Sequence, residues 1–377
     1  MKSDDKKAVR FFLSVVFLCA AVLVAASPIS CRLTENGITL VTSDITAPVV
    51  LSFAVSDATT LSMSYSEPVT LENVCIVQVE ADAASGDSAV AEASELLAVG
   101  SASSETAIAT KIAYQQAGET VQLTLATPTA IGQRYCFSCT VKDYSGNTLL
   151  YSRYFIGYND HPARLLLSEV RLGHSAANAK ARRAEFIELY VLDGGNTAGI
   201  ALAAGYYASS YELPVMEVSA GEYITVHTRT YYDDSVDELG ANLAEPQSSP
   251  DASVTGRDLW IRGDASFCTK TDVIVLQNTA DDSLLDALLL RENETKTAWT
   301  RTRQKELAAK AYECHLWPSG ATPNEAVSGV SAVTKSLSRQ NIATLAADSA
   351  DGGIIAVTAE DWRVVTKCTP GAANVSE

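Results

Sequence analysis

Short segments in which apolar and polar residues alternate recur along most of this chain, and that alternation confines it to β-structure. In Val121-Gln122-Leu123-Thr124-Leu125 the three apolar residues fall on one side of an extended backbone, because successive side chains of a strand point to opposite faces. Segments of this kind, bounded by turn residues, occupy 49–55, 60–65, 74–79, 135–141 and 149–156. Between the last two, Gly146-Asn147 supplies the positive-φ positions that a hairpin needs. A second series covers 165–170, 185–191, 220–226, 272–276 and 284–290, with Ser336-Leu337-Ser338-Arg339 and Asp361-Trp362 near the end. The expected fold is therefore all-β, with two β-sandwich domains in tandem, over 45–157 and 164–374. The join, Gly157-Tyr158-Asn159-Asp160-His161-Pro162, should be extended and brief, since Pro162 disfavours helix at His161.

Three stretches break the pattern. Residues 81–110 are rich in Ala and Ser with scattered acids, and read as an insertion outside the core of the first domain. Residues 229–258 form a long loop rich in Asp, Pro and Ser. Residues 291–317 read as one helical insertion in the second domain, starting near Asn293 with Leu307, Ala311 and Cys314 on one stripe.

The first 30 residues have the order of a secretory signal. Lys2, Lys6, Lys7 and Arg10 are followed by the apolar run 11–26, then by small residues and Pro28. That run is shorter than the roughly 20 residues a spanning helix needs. Two processing outcomes stay open. Val24-Ala25-Ala26 suits ordinary cleavage before Ser27. Cys31, after Ser27-Pro28-Ile29-Ser30, resembles the acylated cysteine of bacterial lipoproteins, although Pro28 stands where a leucine-like residue is usual. The chain is thus expected to be exported, to a periplasm or an outer surface, and any contact with membrane would be through a lipid on Cys31.

Export also governs the remaining cysteines. Cys75, Cys136, Cys139, Cys268, Cys314 and Cys368 form an even set in an oxidising compartment, where disulfides are expected. One bridge should link Cys75 to Cys136 or Cys139, and another should come from Cys268, Cys314 and Cys368. The Cys136-Cys139 spacing also suits a redox pair, but the two lie in a strand-like run and not at a helix start.

Some of these residues carry a family likeness. Thr46-Ala47-Pro48-Val49-Val50, Tyr65-Ser66-Glu67-Pro68-Val69 and Val141-Lys142-Asp143-Tyr144-Ser145-Gly146-Asn147 resemble the Ig-like domains of bacterial surface proteins. The second domain is similar to lamin-tail domains, Ig-like sandwiches of nuclear lamins and of secreted bacterial proteins. The likeness rests on the order of six pieces: Ser168-Glu169-Val170, Glu185 to Leu189, Gly221-Glu222-Tyr223, a Val-Leu strand with its Asn turn, Ser336-Leu337-Ser338-Arg339, and Pro370-Gly371-Ala372-Ala373-Asn374. The resemblance implies two Ig-like sandwiches and a role in binding.

The net charge of −17 repels phosphate backbones, so nucleic acid is not an expected partner. The locally basic stretches, around Lys180, Arg182 and Arg183 and from Arg291 to Lys310, do not change this; the second is interleaved with Glu292, Glu294 and Glu306. The four histidines, His161, His174, His227 and His315, form no metal pair at helical spacing. Glu169, Glu185 and Glu188 come from two strands expected to be neighbours, and surface-facing carboxylates are the default reading. Asp143, and separately Tyr231-Tyr232-Asp233-Asp234 with Asp237 and Glu238, could hold calcium; turn capping and a solvated acidic loop are the plainer readings. Trp260, Trp299, Trp317 and Trp362 could stack on sugars, with core packing as the plainer alternative. No catalytic, cofactor or metal site is expected. The expected function is non-catalytic binding of a protein or polysaccharide of the envelope or a host surface. The alternative is an accessory or degenerate component of an exported nuclease or phosphatase system.

If Cys31 is acylated, Cys31→Ala should move the protein from the membrane to the soluble fraction, because the tether is lost. Fractionation together with the intact mass of the wild type checks this; an unlipidated N-terminus at Ser27 would decide for simple secretion.

Overall fold

The computed structural model describes residues 30–34, 37–41, 44–79, 113–117, 119–174, 182–245, 250, 252–329, 334–348 and 354–375. Residues 1–29, the side chain of Cys31 and the whole of the 81–110 insertion lie outside the described part. The described chain is mostly β-sheet, with two short α-helices.

A hairpin of β1 (Ser30–Thr34) and β2 (Gly37–Val41) precedes the first unit. That unit is built from β3 (Val50–Asp57), β4 (Thr60–Tyr65), β5 (Val69–Val79), β6 (Ala113–Ala117), β7 (Thr120–Thr124), β8 (Arg134–Asp143) and β9 (Thr148–Ile156). They form a four-stranded sheet in the order β3-β4-β7-β6 and a three-stranded sheet β5-β8-β9. Alternation decides which side chains are buried between the sheets. Leu61, Met63 and Tyr65 of β4 and Val121 and Leu123 of β7 meet Tyr135, Phe137, Cys139 and Val141 of β8 in one core.

The linker is not free. Asn159 Nδ2 donates to the carbonyls of Asn196 and Ala198, at 3.0 and 3.1 Å, and Asn196 N donates to the His161 carbonyl. The short join expected from Pro162 is thus stitched to the second unit by its own asparagine.

The second unit contains β10 (Arg164–Arg171), β11 (Phe186–Asp193), β12 (Gly195–Asn196), β13 (Ile200–Ala204), β14 (Ser210–Glu212), β15 (Glu217–Val218), β16 (Tyr223–His227), β17 (Arg257–Trp260), β18 (Asp272–Asn278), β19 (Leu284–Arg291), helix α1 (Thr302–Glu313), β20 (Val327–Ser328), β21 (Ser336–Arg339), helix α2 (Ile342–Asp348) and β22 (Trp362–Val365). A six-stranded sheet, β17-β16-β11-β10-β21-β22, faces a five-stranded sheet, β14-β13-β18-β19-β20. Leu165, Leu167, Ile187, Leu189 and Val191 of the first sheet and Leu202, Val273, Val275, Ala287 and Leu289 of the second share one core. Inside that core Arg339 Nη1 lies 2.8 Å from Asp286 Oδ2, with both side chains essentially unexposed. Asp286 also accepts from Leu167 N and Ala287 N, at 2.8 and 2.9 Å.

The opposite face of the six-stranded sheet is polar, yet it too is buried. Glu169 and Glu188 are direct partners across β10 and β11, and the chain's last described segment lies over them. Thr369 donates to Glu169 Oε2 through its backbone N (2.9 Å) and its hydroxyl (3.1 Å), while Ser336 Oγ donates to Oε1. Gly371 N donates to Glu188 Oε2 at 2.7 Å, and Ser168 Oγ to Oε1 at 2.8 Å. Asn374 Nδ2 donates to Ser168 O, Ser168 Oγ and Arg339 O. Gly371 has φ +73°, and a Cβ there would fall 2.2 Å from Ser253 Oγ, so both conformation and space require glycine. Pro-Gly-x-x-Asn is therefore a clasp. The expected closing strand is β22, with Trp362 and Val365 buried and Arg363 exposed.

Several expectations are corrected. The helix runs from Thr302 to Glu313, not over 291–317. It starts there because Gln304 Oε1 accepts from the backbone N–H of Thr300 and Arg301 (both 3.1 Å), and Asn293 caps only a turn through Thr295. Leu307, Ala308 and Ala311 form its buried stripe, and Cys314 is its half-buried C-cap. The loop over 229–258 is not a solvated excursion: Ser235 and Glu238 are buried, and β17 begins inside the range. The six cysteines are unbridged. Cys139 points into the first core while Cys75 is exposed on the opposite face of the same sheet. Cys136 shares that outer face, but Cys75 stands opposite Ser138 and not opposite Cys136. In the second unit Cys268 precedes β18, Cys314 caps α1 and Cys368 follows β22, each on a different element.

Two measurements check this account. Burial, and then the nearby Glu169 carboxylate, push Glu188 well above the usual carboxylate range, and burial raises Glu169 as well. A carboxyl raised in the folded state binds its proton more tightly folded than unfolded. Its contribution is therefore most favourable near and below the unfolded value of 4.5 and weakens as pH rises through the folded pKa. The denaturation midpoint of the second unit should fall as pH rises from about 5 towards 8. Glu188→Gln, whose amide mimics the protonated acid, should flatten that slope, whereas Asn374→Ala should cost roughly 1–3 kcal/mol at every pH. For the thiols, burial raises Cys139 to about 12, leaving only about one in ten thousand ionised at pH 8. Maleimide should label exposed Cys75 in the native protein and reach Cys139 only after unfolding.

Candidate functional site

Each residue that the sequence marked as a possible ligand or catalyst now has a place. Glu169 and Glu188 do come together, but every one of their four oxygens accepts from the protein's own Ser168, Ser336, Thr369 or Gly371, and the clasp covers them. Glu185 belongs to a separate cluster. Arg229 Nε lies 2.6 Å from its Oε2, His174 Nδ1 lies 3.1 Å from Oε1, and the same guanidinium reaches Asp264 at 2.7 Å. Neither arrangement presents a carboxylate to a substrate.

The histidines are dispersed. His227 is fully buried with Nε2 2.7 Å from Asp258 Oδ1, and its ring stacks on Trp260 at 3.8 Å. His161 lies exposed between Asp160 and Glu217, and His315 follows α1 with φ +60°. In the acidic loop, Asp237 accepts from Trp260 N (2.7 Å) and pairs with Arg262 (3.2 Å), and Glu238 accepts from the backbone of Asp258 and Glu245. Those carboxylates serve the fold rather than a cation. All four tryptophans are buried, so none is available to stack on a sugar. The plainer packing reading of Trp362 holds, and it extends to the other three.

Asp143 is the turn cap that the sequence suggested. Its Oδ1 accepts from Asn147 N at 2.8 Å and its Oδ2 from Asn147 Nδ2 at 2.7 Å. The fold also brings Asp44 and Glu67 to it, with one ligand oxygen of each residue within 4.8 Å of the others. Desolvation first, then the charges of Asp44 and Asp143, raise Glu67, while hydrogen bonds from Thr46 lower Asp44. The group is an acidic corner at one end of the first unit, and both oxygens of its central member are already engaged.

A concave surface lies elsewhere, where the two units meet. A cleft of about 830 Å³ runs from Phe53 and Phe155 of the first unit to Leu165, Leu166 and Leu285 of the second, with Ile354 on its border. Its size falls in the range of ordinary ligand sites. Arg134 of β8 pairs with Glu212 of β14 across the boundary, and Arg164 faces Asp193 at 3.6 Å. Arg153 lies with its guanidinium carbon 5.4 Å from the centre of the Phe53 ring, which itself sits 5.7 Å from Phe155. Leu285 and Ile354, the latter 69% exposed, line the cleft and stay open to solvent; Leu51 on β3 and Leu150 on β9 are further exposed apolar side chains. None of these was singled out from the sequence. The signal available was the doubled apolar pair, Leu149-Leu150 and Ile354-Ile355, which breaks alternation and puts one of the two residues on the wrong side.

Comparison with known proteins gives the chain its relatives. Residues 163–364 match the family described as protein second domain. A protein of Treponema pallidum (strain Nichols) described as uncharacterized is 30% identical over 169 residues, 44% of this chain. The chain spans about 41% of the length of that relative. Among solved structures, the N-terminal part of the bacterial S-layer protein SbsC is 12% identical at a TM-score of 0.23, covering 65% of this chain and 44% of that one. A DUF4876 family protein from Bacteroides thetaiotaomicron is 10% identical at 0.26, covering 76% and 84%. At such scores neither likeness bears on fold or task. The family match covers more than half of the chain, which therefore belongs to the family described as protein second domain.

Proposed function

We propose that this chain is an exported, non-catalytic protein of a cell envelope or surface, in which an Ig-like unit and a lamin-tail-like unit hold a protein or polysaccharide partner between them. The observation that carries the reading is the cleft of about 830 Å³, to which both units contribute apolar walls and fixed charges. The linker asparagine and the Arg134–Glu212 pair fasten the units to one another, so the cleft is built into the fold. Export rests on the charge, apolar run and small residues of the first 30 positions. Binding rather than catalysis is favoured because the candidate acids, Glu169, Glu185 and Glu188, are saturated by protein donors. A fold by itself does not assign a task, so the argument rests on the cleft.

The purified protein should turn over none of a panel of nuclease, phosphatase and glycosidase substrates, and should bind saturably to an isolated envelope protein or polysaccharide fraction. Ile354→Asp with Leu285→Asp, both at exposed positions, should weaken that binding at least tenfold. Unchanged binding by the double variant, or turnover that Glu185→Gln or Glu188→Gln abolishes, would overturn the reading.

A further inference from the structure

We infer that the turn between β13 and β14, together with the start of α1, binds a polysaccharide whose rings carry carboxylates. The site lies apart from the cleft. β13 and β14 reach the cleft through Ile200 and Glu212, and the turn joins the other ends of the two strands. Its occupancy does not depend on what the cleft holds.

The basic stretch 291–310 lines no part of the cleft, and at Arg301 the fold sets it against two tyrosines. The guanidinium carbon of Arg301 lies 4.8 Å from the centre of the Tyr206 ring. The Tyr206 and Tyr207 rings meet edge to face, with centres 4.7 Å apart and planes at 78°. Tyr207 is 52% exposed, and Arg301 is exposed as well. Ring, ring and cation are thus in contact in series at the surface. Tyr144 and Tyr312 are also exposed, but neither packs against another ring among the described residues.

The turn is held in place. Buried Asp272 accepts through Oδ1 from Gly205 N at 3.1 Å and from Tyr206 N at 2.8 Å. Ala204 N donates to Ser209 O across the turn at 2.9 Å. Gly205 packs so closely on α1 that a Cβ there would fall 2.8 Å from Gln304 Cα. Ala208 adopts φ +53°, which is uncommon for a residue with a Cβ. Such backbone persists where its surroundings over-determine it, and it clusters at ligand sites. The two rings therefore stand on a fixed support, beside the helix that carries Arg301.

These contacts select the chemistry of the ligand. The amides of Ala204, Gly205 and Tyr206 are already engaged, so an extended peptide finds little backbone to pair with at the turn. An exposed aromatic face suits the C–H face of a sugar ring, and tyrosine adds a hydroxyl at its rim. Neither the Tyr206 nor the Tyr207 hydroxyl has a hydrogen-bond partner among the described residues. Arg301 sets the charge. Arg229, Arg257 and Arg339 each face a carboxylate, whereas Arg301 forms no ion pair among the described residues. A guanidinium stacked on a ring still presents its N–H edge, which matches a carboxylate in two parallel bonds. No acidic residue occupies the first turn of α1, and Lys305, exposed one turn along from Arg301, adds a second positive charge.

The probe is a short oligogalacturonate, a linear sugar chain with a carboxylate on every ring, titrated into the full protein by calorimetry. Saturable binding that weakens as salt is raised is expected. Tyr207→Ala and Arg301→Gln, both at exposed positions, should each weaken it roughly tenfold, the loss of one stacked ring or one charged hydrogen bond. Tyr207→Trp keeps a stacking face and should keep the affinity. The uncharged galactose oligomer and a polyglutamate of equal charge should both bind roughly tenfold more weakly than the oligogalacturonate. No saturable binding, or an affinity that neither Tyr207→Ala nor Arg301→Gln changes, would sink the inference. Equal binding of the galactose oligomer would remove the carboxylate from it, and equal binding of polyglutamate would replace the sugar by an acidic peptide. Leu285→Asp with Ile354→Asp should leave oligogalacturonate binding unchanged; a loss there would put the sugar in the cleft instead. Failure of the envelope fraction to bind the cleft, by contrast, leaves this site in place.

Discussion

The second unit is organised around one ion pair in its core. Arg339 and Asp286 lie between the two sheets with almost no exposure, and such a pair is costly to desolvate unless its remaining valences are met. Here most are. Asp286 takes two backbone amides besides the guanidinium, one of them from β10 on the facing sheet. Removing either partner would leave a buried charge, which typically costs roughly 3–5 kcal/mol. The pair therefore sets how β10, β19 and β21 sit against one another, and β21 in turn positions the groups on the opposite face of its sheet. Asn341, accepting from Arg339 Nε, passes the same constraint to Asp361 and the start of β22.

From that pair outward the unit is layered by polarity in an uncommon order. The inner face of the large sheet is apolar in the usual way, with charge only at the pair. The outer face carries Ser168, Glu169, Glu188, Thr225, His227, Asp258 and Ser338, all buried. Buried polar groups generally need partners; those of Ser168, Glu169, Glu188 and His227 come from the 229–258 stretch, the 369–374 clasp and Ser336 of β21, while the hydroxyls of Thr225 and Ser338 have none among the described residues. Both ordinarily surface-exposed segments are thereby made part of the interior. The boundary with the first unit, where the C-terminal half of β9 lines the cleft, is built differently. Its charges are mostly paired and its apolar surface is not.

Much of this was legible in the residues. Alternation located nearly every long strand, because the pleat imposes a period of two wherever one face is buried, and the Pro-Gly-x-x-Asn terminus was placed with the second unit. β13 escaped notice because Ile-Ala-Leu-Ala-Ala, buried on both faces, has no alternation to read. The extent of α1 was overestimated because its start depends on Gln304 folding back onto two amides, which no periodicity announces. The carboxylates were expected at the surface, and the loops that bury them could not be seen to return across the sheet. The cleft needed both units in place at once. Its residues look like ordinary surface apolar positions until Phe53, Leu165 and Ile354 are found around one hollow.

The clasp has a consequence for the order in which the protein can be made. Residues 369–374 close over strands that begin some 200 positions earlier, as the bond from Thr369 to Glu169 records. A chain is synthesised from its N-terminal end, so β10 and β11 are made long before the segment that satisfies Glu169 and Glu188. During that interval the sheet has two carboxyls in want of donors and an unpaired edge at β21. Contacts between residues so distant in sequence also form slowly. The second unit is thus obliged to wait for residue 374, and the two acids mark any earlier version of it as incomplete.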